Sequence, residues 1–307
     1  MSQLLTLSNL VEHVPPTDGR ELWAIDLSKA AVACLVEEAE LTPKPALVDR
    51  QGNGAHHDLD LDRLLCSAHS LQEGLADIAR TAWDEEPQRL REKIGQIGRD
   101  MEQHMLAATD GSNAHRGAIW ALGLLVAAAV QDRSRSAARI AATAAALARL
   151  PDQFAPRPLS NGEQVRSRYG ATGARGEAQA AFPHASRIGL PMLRAVRDRG
   201  VPENCARLDA LMAIMASLDD TCLLHRGGLA ALEAAKVGAR AVLAAGGTAA
   251  PAGIECLHRL HGELMARWAS PGGSADLLAV TLFLDRLEGG SRPLRKPDAQ
   301  ARKQRNF

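Results

Sequence analysis

The sequence predicts an all-α protein. Alanine and leucine dominate its 307 residues, aromatic residues make up only 3%, and apolar residues recur at three-to-four-residue spacing over long segments, with almost no strand-like alternation. That spacing predicts helices over residues 21–40, 60–82, 86–108, 115–131, 134–150, 184–199, 204–224, 227–245, 250–268 and 274–288. Pro87 is placed to open the third of these and Pro202 precedes the seventh. Gly246-Gly247 closes the eighth, and Gly227-Gly228 reads as a helix stop. The stretches 115–131 and 274–288 are hydrophobic around their whole circumference, the mark of helices buried in an interior.

At 46% apolar composition the chain can bury a large core. Residues 1–20 read as an N-terminal extension, 21–290 as one all-α catalytic domain, and 291–307 as a basic C-terminal tail with six Lys or Arg against one Asp. A formal net charge of zero and a pI near 7.2 provide no global field to attract nucleic acid or an anionic membrane. Five cysteines without a Cys-x-x-Cys pair read as free thiols of a cytoplasmic protein. The longest apolar stretch, Ala118 to Val130, falls short of the ~20 residues that span a bilayer.

Both apolar helices begin with a polar, glycine-containing tip, and a helix N-terminus offers unpaired N–H groups and partial positive charge suited to phosphate. In the first tip, Gly111 to Gly117, Ser112 or Asn113 can cap the helix, while His115 and Arg116 in the first turn oppose the macrodipole unless an anion is present. In the second, Ser270 to Asp276, Gly272 and Gly273 let a backbone approach a ligand closely. Ser274 can cap the helix there, and Asp276 can be either a dipole-stabilised carboxylate or a metal ligand.

Two long loops, 41–59 and 151–183, carry more chemistry. In the first, prolines flank Lys44, while Asp49, His56 and Asp58 supply two carboxylates and an imidazole for metal binding or proton transfer; Asp58 can instead cap the next helix. In the second, Arg168, Tyr169 and Arg175 surround glycines in a composition suited to a phosphate chain or a base, and equally to a solvated loop. Adjacent acids Asp219 and Asp220, read as lying near the end of helix 204–224, call for a neutralising cation, Mg²⁺ or Arg226. Together these features predict a polyphosphate site with a metal.

The ordered set resembles the triphosphoribosyl-dephospho-coenzyme A synthase family from about residue 30 to residue 288. The segments that carry the resemblance are Thr42-Pro43-Lys44-Pro45 with Leu47-Val48-Asp49; Gly54-Ala55-His56 with Asp58; Asn113-Ala114-His115-Arg116-Gly117; Tyr169-Gly170 with Gly173-Ala174-Arg175-Gly176-Glu177; Asp220-Thr221 with Arg226-Gly227-Gly228; and Ser270 to Asp276. Ala46 departs from the family's usual glycine and Leu59 from its common methionine. Cys222 stands where the citrate-lyase branch has asparagine, which favours the branch serving malonate decarboxylase.

The resemblance implies that ATP and 3′-dephospho-coenzyme A yield 2′-(5″-triphosphoribosyl)-3′-dephospho-coenzyme A and adenine, with Mg²⁺ on the triphosphate. It implies a product passed to a transferase acting on an acyl carrier protein, and it is compatible with a homodimer. Side-chain chemistry within it assigns Mg²⁺ to Asp220, Asp276 and Asp58, with Asp219 as neighbour. Phosphate contacts fall to Lys44, Arg116, Arg175 and Arg226, with Asn113, Arg168, Tyr169, Gly272, Gly273 and Ser274 lining the nucleotide. Glu177 or Asp49 is the expected base, and His115 or His56 the group that protonates adenine or orients a phosphate. Two other readings use the same residues: a Mg²⁺-dependent ADP-ribosyl glycohydrolase, and a non-catalytic nucleotide-binding adaptor for a carrier protein.

Overall fold

The computed structural model describes residues 17–155, 165 and 168–289. The basic tail, most of the N-terminal extension, and Arg166 and Ser167 lie outside the described residues. Helix α1 (Thr17–Ala39) buries Leu27, Ala31, Cys34 and Leu35 along one stripe. Helices α2 (Leu61–Ser70), α3 (Gln72–Thr81) and α4 (Pro87–Ala108) follow, then α5 (Arg116–Gln131), α6 (Ala137–Arg149) and α7 (Gly173–Gln179). A π-helical turn (His184–Gly189) leads into α8 (Leu190–Asp198). Helices α9 (Glu203–Met215), α10 (Thr221–Ala244), α11 (Pro251–Ala266) and α12 (Gly272–Leu287) complete the order. The described residues contain no strand, only an isolated bridge between Asp49 and Gly52.

Helices α5 and α12 form the centre, packed against each other, as their all-round hydrophobicity requires. Every residue of α5 from Ala118 to Val130 is buried except half-buried Trp120, and every residue of α12 from Leu277 to Leu287 is buried. Helices α1 and α9 pack on α12, while α3, α4 and α6 pack on α5. Burying each Leu, Ile, Val or Phe side chain stabilises the fold by about 1.5–3 kcal/mol, so this pair anchors the molecule. Two charged residues of α12 are paired inside the centre: Arg286 donates to the Ala30 carbonyl and to Glu37 of α1, and Asp285 accepts from Arg194 and Arg197 of α8.

Several expected elements differ. The helix expected over 60–82 breaks at Leu71, where the Ser70 hydroxyl bonds back to the Ser67 carbonyl and tightens the last turn. Its N-cap is Asp60, which accepts from the Arg63 N–H, and not Asp58. The segment expected as helix 184–199 opens with the wide π turn, because Pro191 has no N–H to donate into a regular α ladder. The expected loop 151–183 holds the short helix α7.

The largest correction concerns 204–224 and 227–245. Helix α9 stops at Met215, and the chain turns before α10 starts at Thr221. Asp220 is therefore the N-cap of a helix and not an acid near a helix end. Gly227-Gly228 does not stop α10; the chain passes through it with a break at Gly228 (φ 62°, ψ −160°), a conformation open to glycine alone.

Candidate functional site

Three helix N-termini meet at one place. A Cβ built on Gly117, in the first turn of α5, would collide with Asp276 Oδ2 in the first turn of α12. At the start of α10, Asp220 reaches over to the same helix. One carboxylate oxygen accepts from the N–H groups of Cys222 at 2.9 Å and Gly273 at 3.3 Å, and the other accepts from the Ser274 N–H and hydroxyl, both at 2.8 Å. Asp220 thus ties α10 to α12. Ser274 is not the cap of α12, whose N-cap is Pro271; its hydroxyl is spent on Asp220. Gly272 and Gly273 are required for this closeness, since a Cβ on either would press on Cys222 Sγ or on the Asp220 carboxylate, at 3.1 and 3.0 Å.

Lys44 enters from the loop after α1. It is buried, with Nζ donating to the Glu38 carboxylate at 2.6 Å and the Glu38 carbonyl at 2.7 Å. Asp49 braces this loop by accepting from the Lys44 N–H at 2.8 Å and the Gln51 N–H at 2.7 Å. The Lys44 charge reaches buried His115, the N-cap of α5, whose Nδ1 lies 2.6 Å from Ser67 Oγ. Burial, reinforced by Lys44, depresses the His115 imidazole to about 4. Its Nε2 is buried with no hydrogen-bond partner.

Asp276 is the exceptional group. It is half-buried and has no hydrogen bond or ion pair among the described residues. Burial pushes its carboxyl well above the usual range, and the charges of Glu38 and Asp220 push it further. Burial also raises Asp220, against the hydrogen bonds that it accepts. Three carboxylates, Glu38, Asp220 and Asp276, therefore share a neighbourhood with a single lysine. Among the described residues no group of three or more His, Cys, Asp or Glu side chains is arranged to hold a metal on its own.

A rim surrounds this centre. Arg226 donates to the Ala55 carbonyl at 2.7 Å and lies 3.2 Å from His56 Nδ1. Burial, then the Arg226 charge, depresses His56 to about 4. Exposed Asp58 is 3.8 Å from His56, and its carbonyl accepts from Ser112, joining this loop to the α5 tip. Exposed Asn113 accepts from the Arg116 N–H at 3.2 Å, so it caps the helix in part. The Tyr169 hydroxyl lies against Gly228, with Arg168 5.1 Å above its ring. Gly173 abuts Thr221, which brings α7 to the start of α10. Along α7, Arg175 is exposed, and buried Glu177 sits 2.5 Å from His184 Nδ1.

Two expected residues turn away. Arg116 directs its guanidinium at Glu102, 3.1 Å distant, because the positive end of α5 repels it. Asp219 faces solvent and pairs with Lys236 at 2.6 Å, as neighbouring residues at a helix start point in different directions. Glu38 was not expected. Its only signal is position: it continues the buried stripe of Leu27, Ala31, Cys34 and Leu35, one turn beyond the last of them, where an acid needs a buried partner.

The model of the ATP:dephospho-CoA triphosphoribosyl transferase family matches residues 24–293. A protein of Azotobacter vinelandii described as a probable 2-(5''-triphosphoribosyl)-3'-dephosphocoenzyme-A synthase is 56% identical over 286 residues, 92% of this chain and 97% of that protein. One of Stutzerimonas stutzeri with the same description is 56% identical over 264 residues, 85% and 91% of the two chains. The 2-(5''-triphosphoribosyl)-3'-dephosphocoenzyme-A synthase of Klebsiella pneumoniae is 53% identical over 274 residues, 89% and 97% of the two chains. No solved structure matches.

Proposed function

Because the chain belongs to the ATP:dephospho-CoA triphosphoribosyl transferase family, we propose that the junction of α5, α10 and α12 is where its transfer takes place. The protein is a transferase that moves the triphosphoribosyl group of ATP to dephospho-CoA. The observation that carries the assignment is the unpartnered Asp276 carboxylate at the meeting point of three helix N-termini. Converging N-termini attract phosphate, and an acid left without a partner there answers to something that the substrates bring.

The chemistry divides among the residues. The C1″–N9 bond of ATP breaks as the 2′-hydroxyl oxygen of dephospho-CoA bonds to C1″ from the opposite face. The hydroxyl proton passes to a carboxylate, and adenine takes up one proton from water to leave as the neutral base, so the proton lost by the hydroxyl and the one gained by adenine balance. Glu177, hydrogen-bonded to His184, is the carboxylate available as acceptor, because Asp49 is occupied in bracing the Lys44 loop and Asp276 is given to the metal. His115 and His56 are neutral near pH 7, so they accept hydrogen bonds or orient a phosphate. Either becomes an acid only when triphosphate charge raises it. Arg226 and Arg175 supply positive charge at the rim, and Lys44 is paired with Glu38.

The residues fit Mg²⁺ bound jointly with substrate. Asp276 has free oxygens, the surrounding acids outnumber the lysine, and Mg²⁺ commonly takes one or two carboxylates together with phosphates and waters. Asp276 would hold it, with Asp58 as the outer candidate, while Asp220 keeps Asp276 and the α12 tip in register; the ion would neutralise phosphate charge. We assign the product to malonate decarboxylase on Cys222, half-buried beside Gly272, with onward passage to a carrier-protein transferase in the cytoplasm.

The test is incubation with ATP, dephospho-CoA and Mg²⁺. Adenine release matched by a product heavier by triphosphoribose, lost in Asp276→Asn with the fold retained, supports the assignment. Release of ribose from a modified protein without an adduct would replace it with a hydrolase, and nucleotide binding without turnover would replace it with an adaptor.

A further inference from the structure

Beyond the acidic centre, the same face of α5 leads to a second cluster, of which only Arg175 is used above. Trp120 stands one turn past Gly117 and shares its helix face, on the order of 5 Å along the axis. The Arg91 guanidinium of α4 lies 4.9 Å from the Trp120 ring centre. Arg91 is only 7% exposed, yet its Nε and Nη1 make no hydrogen bond, and the buried indole Nε1 of Trp120 has no partner either.

The acids nearby do not complete it. Asp152 lies 3.5 Å from Arg91 but is engaged at 2.8 Å by Arg99 and accepts from the Phe154 N–H at 3.0 Å. Glu92 is the other acid whose charge reaches Arg91, and it accepts from Gln88. Arg175 of α7 acts on Arg91 through its like charge and has no hydrogen bond or ion pair among the described residues. Arg91 and Arg99 thus share Asp152, and Arg175 adds a third guanidinium charge without a carboxylate of its own. A buried cation with open donors is costly until an anion completes it.

We propose that Arg91, Arg175 and the Trp120 indole N–H form an anion subsite for the phosphate groups of a nucleotide substrate, the triphosphate of ATP or the diphosphate of dephospho-CoA. The inference rests on the transferase reading of the acidic centre and extends it along α5. The guanidinium forks match phosphate oxygens, and the ring contact restrains Arg91 in place.

The test measures KM and kcat for each substrate in Arg175→Ala and Arg91→Gln, with folding checked by circular dichroism. The expected result is a rise of about tenfold or more in KM for one substrate, with the other within twofold; the affected substrate identifies the source of the phosphate. Arg91→Lys should fall between, because lysine keeps the charge and loses the fork. Unchanged KM values for both substrates in the folded variants, or a loss confined to kcat, overturns the proposal. If Arg91→Gln does not fold, Arg175→Ala decides alone. If the unaltered protein releases no adenine, the transferase reading fails separately, and calorimetric binding of inorganic tripolyphosphate still decides the subsite: it must weaken in Arg175→Ala.

Discussion

Gly117→Ala separates the site from the fold. The new methyl overlaps Asp276 Oδ2, with Asp276 Cγ at 3.3 Å and Cβ at 3.9 Å from it. An ordinary contact of ~3.5 Å requires the carboxylate oxygen to move by about 1 Å. No hydrogen bond or ion pair among the described residues opposes that movement, so the side chain rotates at small cost. Alanine also gains up to ~1 kcal/mol over glycine in helix propensity. Stability therefore stays within about 1 kcal/mol, a Tm change of about 2–4 °C or less. A 1 Å misplacement at a reacting centre costs on the order of 100-fold in rate. Adenine release from ATP and dephospho-CoA, alongside calorimetric melting, checks both halves. Gly98→Ala is the control: its Cβ sits 4.0 Å from Ile119 Cγ2 and meets nothing closer, so stability and rate should both hold. Full turnover in a folded Gly117→Ala variant would place Asp276 outside the chemistry. A fall in Tm beyond ~10 °C would contradict its freedom to rotate.

Four further outcomes follow. Asp276 has a folded-state carboxyl raised above its unfolded value of 3.8, so the stability it contributes is present at low pH and is lost as pH rises through the folded value; Asp276→Asn should melt higher than the unaltered protein at pH 8 and lose less stability as pH rises above 3.8, and equal slopes would refute this. His115 has the opposite sign: depressed from 6.5 to about 4, it contributes up to about 3 kcal/mol above pH 6.5 that disappears as pH falls towards 4. His115→Gln should remove that contribution to the acid slope in urea titrations, and His56, depressed in the same direction, adds one of its own. Lys44→Met leaves Glu38 buried and unpaired, at a cost of about 3–5 kcal/mol; adding Glu38→Gln should recover most of it, and simple additivity would refute the coupling. Chelation of divalent cations should raise KM for ATP by more than tenfold while leaving the fold intact, and ATP turnover indifferent to chelator would remove the metal from the site.

Much of this was legible in the sequence because it rests on local periodicity. The apolar runs after Arg116 and after Asp276 have no polar face, so both had to be central helices, whereas the meeting of their tips depends on the parallel packing that the structure shows. The position of Asp220 was not legible in the same way. A helix pattern running from Glu203 towards Leu224 hides the turn at 216–220, and the same acid reads as unfavourable at a helix end and favourable at a helix start. Glu38 escaped for a different reason. An acid in an amphipathic helix is ordinarily solvated, and only the burial of Lys44 six residues later shows that its face is the inner one.

The division of charge between centre and rim explains why so many residue types recur in one site. Acids at the convergence of helix N-termini are held by backbone N–H groups, as Asp220 is, or left open, as Asp276 is. A triphosphate brought bare against Glu38, Asp220 and Asp276 would be repelled, while the N-termini behind them attract it. These opposed fields favour a nucleotide whose charge is already partly neutralised, and they leave the outer guanidinium groups to hold phosphates that stay clear of the acids. Arg226 at His56 and Arg175 on α7 occupy such outer positions, from which a phosphate chain can be held while its ribose lies inward. Replacing a rim arginine should therefore act chiefly on KM, whereas moving Asp276 should act chiefly on kcat.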